Sequence, residues 1–225
     1  MADVRPRERR PQAVSGSGRR SPGRRPLFGG ELLRSLQLPM LTRRYDERRV
    51  VAVYLFINSG LAIGVMAWLA LATGQPFAFP SLGPTAFLLF YQPLAPNAAP
   101  RSCFFGHLIG VLAGYLSLVV FGLTTVPPNL EDVTAARVGA LALSLAVTLS
   151  LMAWLDVPHA PAGATTLIVS IGLLRTPAQL AILMLAVVLL TAQGFVINRL
   201  AGLPYPVWKP RPAPRPADGG PSGSR

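Results

Sequence analysis

The chain has 225 residues, of which 51% are apolar and 13% charged, and its mean hydropathy is +0.45. A soluble domain carries about 25% charged residues, so an ordinary soluble enzyme is excluded. The net charge of +12 is unevenly placed: 13 of the 21 Lys and Arg precede residue 50, whereas residues 50–200 hold only Arg101, Glu131, Asp132, Arg137, Asp156, Arg175 and Arg199 as charged groups.

Residues 1–26 are rich in Arg, Pro, Ser and Gly and have no hydrophobic period. Such a segment buries too little apolar area to offset its ordering entropy, so it reads as a disordered basic arm. A basic arm is able to bind nucleic acid, but no aromatic interleaving accompanies it. Attraction to anionic lipid headgroups is the preferred reading. Residues 27–49 read as an interfacial or juxtamembrane helix that lays Leu32, Leu33, Leu36 and Leu38 on the membrane surface. The apolar run that starts at residue 50 is too long for a signal peptide.

Four stretches, 50–73, 104–123, 136–155 and 177–197, are long and apolar enough to cross a bilayer as helices. Between them lie residues 75–91 and 157–174, each opening with Pro and Gly and continuing as an apolar run too short to span unaided. Backbone broken in this way is tolerated only against protein or a watery cavity. Both therefore read as broken or re-entrant intramembrane helices. The fold class is all-α and polytopic, in a membrane domain of residues 50–200 followed by a Pro/Arg-rich disordered tail over 201–225. Cys103, the single cysteine, is incompatible with a disulfide framework within one chain or a multi-cysteine metal site.

The order long–short–long is repeated, which is the hydropathy pattern of an internal, inverted repeat with a binding site at the interrupted segments. The Arg-rich head places the N-terminus in the cytoplasm. Either four or six crossings return the C-terminus to the same side, and the pattern leaves that count open.

A helix that starts inside a membrane offers unpaired N–H groups and about half a positive charge at its N-terminus. Ser81, Gly83, Pro84 and Thr85 form one such start; His159, Pro161, Gly163, Thr165 and Thr166 form the other. Facing each other, two starts make a cradle for an anion without a buried Arg. The competing reading is that these Gly and Pro residues only shape tight turns. His159, beside Asp156, is a candidate proton relay, and Asp156 reads equally as a solvated cap. His107 shares a helix face with Gly110 and Gly114, and Gly106, Gly110 and Gly114 recur at every fourth position, as do Gly60 and Gly64. Such ladders let helices approach closely. His107 accordingly reads as a packing or gating residue, and the glycine faces suggest a homo-oligomer, a dimer first.

Three runs of sequence resemble the HPP family of integral membrane proteins: Pro80-Ser-Leu-Gly-Pro-Thr-Ala-Phe-Leu-Leu-Phe; Pro100-Arg101 with Gly106-His107-Leu-Ile-Gly110; and His159-Ala-Pro-Ala-Gly-Ala-Thr-Thr-Leu-Ile. The closing Asn198-Arg199 before Leu203-Pro204-Tyr205-Pro206 fits the same pattern, and the resemblance covers about residues 40–208. One departure stands out: the His-Pro-Pro of the family is His159-Ala160-Pro161 in this chain. The resemblance implies an integral membrane protein whose plastid relatives are linked to nitrite transport.

These readings favour a transporter or channel for a small inorganic anion, in a bacterial inner membrane, with both termini cytoplasmic. The chain holds no HExxH, GxSxG or CxxC motif, so no catalytic residue, metal or cofactor is expected. The alternative is a non-transporting scaffold or regulatory protein whose basic head is the working part.

Overall fold

The computed structural model describes residues 37–210. Within them the chain forms helices α1 (Leu38–Arg44), α2 (Glu47–Thr73), α3 (Leu82–Tyr91), α4 (Pro100–Val120), α5 (Ala135–Trp154), α6 (Pro161–Ser170) and α7 (Pro177–Leu200), with a 3-10 turn at Pro96–Ala98. No strand occurs among the described residues. The basic arm, residues 27–36 with Leu32, Leu33 and Leu36, and the tail beyond residue 210 lie outside the described residues.

Local chemistry sets the helix limits. Asp46 accepts a bond from the Arg49 N–H at 3.0 Å, so α2 starts at Glu47, three residues before the apolar run. It stops at Gly74, whose φ of 65° and bond from its N–H to the Ala70 carbonyl close the last turn. Pro100 takes the first position of α4 and starts that helix four residues ahead of its apolar stretch. Thr134 caps α5, and Thr176 with Gln179 forms a reciprocal capping box on α7. The four long helices have 27, 21, 20 and 24 residues and meet the length and hydropathy of membrane spans. At about 1.5 Å per residue, the ten-residue α3 and α6 cover only half such a distance.

The hydrogen bonds at the two ends of the bundle give the direction of every segment. At one end the Leu38 N–H reaches the Ala201 carbonyl at 3.0 Å. There too the Tyr54 hydroxyl meets Asn198 Oδ1 at 2.9 Å, and Asn198 Nδ2 donates to the Leu89 carbonyl at 2.9 Å. The start of α2 and the ends of α3 and α7 therefore lie together. Arg101 adds the start of α4 and the end of α5 by donating to the Leu155 and Asp156 carbonyls, while its N–H bonds Trp208 beyond α7. At the opposite end Arg137 joins the start of α5 to the Ser170 carbonyl of α6, and Arg175 before α7 reaches Thr125 beyond α4.

The direction thus reverses at each of six segments, α2 to α7, and both short helices advance the chain from one end of the bundle to the other. Residues 75–81 and 157–160 enter without forming helix, and α3 and α6 complete the traverse. The contacts thus give six alternating segments, four long enough to cross a membrane and two short.

The short helices pack in a reciprocal way. Helix α3 lies against α2 and α7, whereas α6 lies against α5 and α4. Exchanging the halves α2–α4 and α5–α7 leaves this pattern unchanged. The contact between α4 and α6 is the closest: a methyl group built on Gly106, Gly110 or Gly114 would stand 2.6–2.8 Å from atoms of His159, Ala162, Thr166 or Val169. The expected glycine ladder is thus an internal seam. Gly60 and Gly64 on α2 meet nothing within 4 Å.

Helix α1 is the described part of the expected juxtamembrane segment. Leu38 and Leu41 line a groove with Val50, Val53, Ile197 and Leu200, so its apolar side rests on the start of α2 and the end of α7.

Candidate functional site

Two histidines occur in the whole chain, and the fold brings them into contact. His107 comes from the second turn of α4, and His159 from the extended link before α6. Both are buried, with Nε2 atoms 3.1 Å apart. Thr85 on α3 places Oγ1 3.0 Å from Nε2 of His107 and 3.4 Å from Nε2 of His159. Thr165 on α6 lies 2.7 Å from Nδ1 of His107, and the Asn97 carbonyl lies 2.7 Å from Nδ1 of His159. Helices α3, α4 and α6, together with the 3-10 turn, thus converge on one buried polar cluster.

The protons of the neutral cluster can be assigned by elimination. A carbonyl only accepts, so His159 carries its proton on Nδ1 and donates to Asn97. Its Nε2 is then a bare lone pair, and the 3.1 Å contact requires His107 to donate from Nε2. Nδ1 of His107 must in turn accept, and the Thr165 hydroxyl supplies the donor. The Thr85 hydroxyl donates to the Ser81 carbonyl at 3.0 Å, which leaves a lone pair of its oxygen to the Nε2–H of His107; the bare Nε2 of His159, 3.4 Å away, makes no bond with it in this state. The two imidazoles are therefore opposite tautomers in one directed chain, from Thr165 through His107 and His159 to Asn97.

The other sequence candidates divide by helix face. Ser81 contributes its carbonyl to the cluster, and its own hydroxyl is buried without a partner, as is Oδ1 of Asn97. Thr166 turns away to bond Thr148 at 2.9 Å and the Ala162 carbonyl at 3.0 Å. Gly83 and Pro84 lie on the exposed face of α3. A methyl group on Gly83 would meet nothing, and one on Gly163 would meet only the Leu145 side chain at 3.6 Å. Pro84 and Pro161 instead line a shallow depression of about 260 Å³ between the two helix starts.

The expected cradle of free backbone N–H groups differs for a specific reason. The N–H groups of Leu82 and Gly83 bond the carbonyls of Phe79 and Pro80, and those of Ala162 and Gly163 bond His159 and Ala160. Pro84 and Pro161 have no N–H. Tight first turns therefore consume the donors, and the polar groups that meet at the cluster are side chains and the Asn97 carbonyl.

Asp156 is exposed, and His159 spends its Nδ1 on Asn97 instead. The unusual feature of Asp156 is a φ of 51°, held where Arg101 bonds the Leu155 and Asp156 carbonyls just after α5. His107, read from sequence as a packing residue, is a full member of the cluster. Asn97 carried no signal in the sequence, and neither did the burial of Arg137. That guanidinium is 3% exposed and donates to the carbonyls of Ser170, Val126 and Pro127. Among the described residues no group of three or more His, Cys, Asp or Glu is placed to hold a metal.

Four long apolar helices and two half-length ones, joined around a buried polar cluster, define a polytopic α-helical membrane protein. Residues 45–206 match the family described as HPP, transmembrane region, and the chain belongs to that family. No curated protein and no solved structure matches it.

Proposed function

We propose that the protein carries a small monovalent inorganic anion, of the nitrite kind, across a bacterial inner membrane, with both termini on the cytoplasmic side. The observation that carries this reading is the buried cluster of Thr85, His107, His159 and Thr165 between the two three-helix halves. Buried polar groups in a membrane interior are costly, and they mark pathways of solutes and ions. The first turns of α3 and α6 both adjoin the cluster, so the positive ends of two helix dipoles favour an anion there. The unpartnered oxygens of Ser81 and Asn97 supply further polar contacts for a ligand or its water.

The two halves form an inverted repeat around this site. Gly83 and Gly163, Thr85 and Thr165, Leu89 and Val169, and Gly114 and Gly194 are each 80 residues apart. Their contacts follow the same register: Val169 of α6 fills the space above Gly114 of α4, and Leu89 of α3 fills that above Gly194 of α7. His107 touches both equivalent threonines and so sits next to the axis relating the halves. Its own equivalent is Val187, and that of His159 is Phe79, both buried. One junction is therefore polar and its counterpart apolar. Rocking of one half against the other would expose the polar junction to each side in turn, as inverted-repeat transporters do.

A second copy of the chain packs on α2. The α2 window is 11% buried against 28–56% for the other three spans, and it presents the Gly60 and Gly64 face. A monomeric mass in mild detergent together with full uptake would overturn this assignment.

Uptake by proteoliposomes across a panel of nitrite, nitrate, formate and chloride tests the function. Nitrite uptake above that of protein-free liposomes is expected, with loss in His159→Ala. Absence of uptake for every anion in the panel would refute the reading.

A further inference from the structure

We infer that the His107–His159 pair takes up one proton with each anion, so that transport is an electroneutral proton–anion symport. This inference rests on the anion reading above and adds its coupling. It starts from the charge of the site. A monovalent anion held in a low-dielectric interior needs a compensating charge nearby. The elements packed against the pair carry few groups able to supply one: Tyr91 on α3, Arg101, Cys103 and Tyr115 on α4, Asp156 in the link before α6, and none on α6 or the 3-10 turn. Arg137 on α5 is bonded to the carbonyls of Ser170, Val126 and Pro127 at the far end of α6, and Arg199 on α7 lies over the Phe195 ring. None of these bonds either ring. Arg101 is engaged with the Leu155 and Asp156 carbonyls, and Cys103 with the Ala98 carbonyl. The first-turn N–H groups of α3 and α6 are spent on tight turns. The helix dipoles contribute only partial charge, and the imidazoles are left to supply a full one.

The tautomers then determine what a proton does. In the neutral pair the free lone pairs are Nε2 of His159, which faces the His107 N–H, and Nδ1 of His107, which is taken by Thr165. A proton added to Nε2 of His159 turns two groups that had bonded each other into two N–H donors pointing into the same space. They repel unless an acceptor stands between them. Thr85 Oγ1, 3.0 and 3.4 Å from the two nitrogens, is such an acceptor, but as a neutral hydroxyl it leaves the added charge uncancelled. An anion oxygen that takes the place of Thr85 Oγ1 against the rings receives both donors and cancels that charge. The neutral pair satisfies itself and offers an anion no donor, and the protonated pair without an anion is an uncompensated buried charge. Proton and anion therefore bind together or not at all. The proton comes from water on the loading side and leaves from Nε2 of His159 to water on the other side as the anion departs.

Wild-type protein in liposomes containing a pH dye, with nitrite added outside, tests the stoichiometry without any variant. Expected are one proton entering per nitrite, initial rates unchanged when the membrane potential is clamped at different values, and a rise of up to about tenfold per unit fall in outside pH while protonation limits loading. Protein-free liposomes report the leak of the undissociated acid. Uptake that moves net charge, or that brings no proton, would overturn the coupling and leave the transport reading standing. No uptake above the leak for nitrite, nitrate, formate or chloride would overturn both. Nitrogen NMR of imidazole-labelled protein reads the tautomers directly, because two rings are the only imidazoles in the chain. One ring protonated on Nδ1 and the other on Nε2 is the expected result. Two identical tautomers would refute the proton assignment on which the symport depends.

Discussion

Substituting Gly106 by Ala tests whether the α4–α6 seam holds the histidine pair in place. An added methyl carbon would stand 2.6 Å from Cβ of His159 and 3.5 Å from Cβ of Ala162. Ordinary carbon–carbon contact is about 3.5–4.0 Å, so His159 must retreat by about 1 Å. Both partners of the clash are set by backbone position, and no rotamer change relieves it. A retreat of that size along the bond would stretch the 2.7 Å contact between Nδ1 and the Asn97 carbonyl beyond hydrogen-bonding range. Overpacking of this kind costs about 1–3 kcal/mol, and a lost hydrogen bond adds about 1 kcal/mol. Gly163→Ala is the matched control, because its methyl group meets Leu145 at an ordinary 3.6 Å. Detergent-titrated unfolding should show Gly106→Ala destabilised by about 2–4 kcal/mol and Gly163→Ala within about 0.5 kcal/mol of wild type. Imidazole nitrogen signals should shift in the first variant and stay in the second. Wild-type stability and unshifted imidazoles in Gly106→Ala would refute the packing argument.

Gly83→Leu should fold and take up nitrite at close to the wild-type rate, since its side chain enters open space on the outer face of α3; loss of uptake with folding intact would return the helix start to the ligand site. Arg137→Ala should lower unfolding stability by about 2–4 kcal/mol, because charged-donor bonds to three carbonyls are lost in a buried place. Arg137→Lys should recover only part of it, having one nitrogen where the guanidinium uses two. Cys103, fully buried, should resist a maleimide in mild detergent and react completely once the protein is unfolded in SDS.

Much of the architecture is legible along the chain because it depends on local sums. Hydropathy over about 20 residues gives the four long spans, since a bilayer of about 30 Å demands that length of apolar helix. Pro and Gly at the openings of 75–91 and 157–174 give the two broken segments, and a 3.6-residue period makes a seam of Gly106, Gly110 and Gly114 visible. Helix limits differ from the apolar runs by a few residues where Asp46 and Pro100 start a helix early, an effect of caps on backbone groups and not of hydropathy.

The chemistry of the buried cluster is decided elsewhere. Ser81, Gly83, Pro84 and Thr85 are neighbours in sequence, but a helix turns by 100° per residue, so Thr85 faces inward while Gly83 and Pro84 face out. Whether a first turn leaves its N–H groups free depends on the backbone angles before it, which composition does not encode. The pairing of His107 with His159 joins residues 52 positions apart, and Asn97 enters only through a carbonyl that every residue possesses. That carbonyl nonetheless sets both tautomers, because it can only accept. By itself the sequence determined that four long apolar helices, with two short apolar segments between them, would make a membrane protein. The tertiary structure alone decided that two imidazoles would meet among α3, α4 and α6, beside a single backbone oxygen able to order their protons.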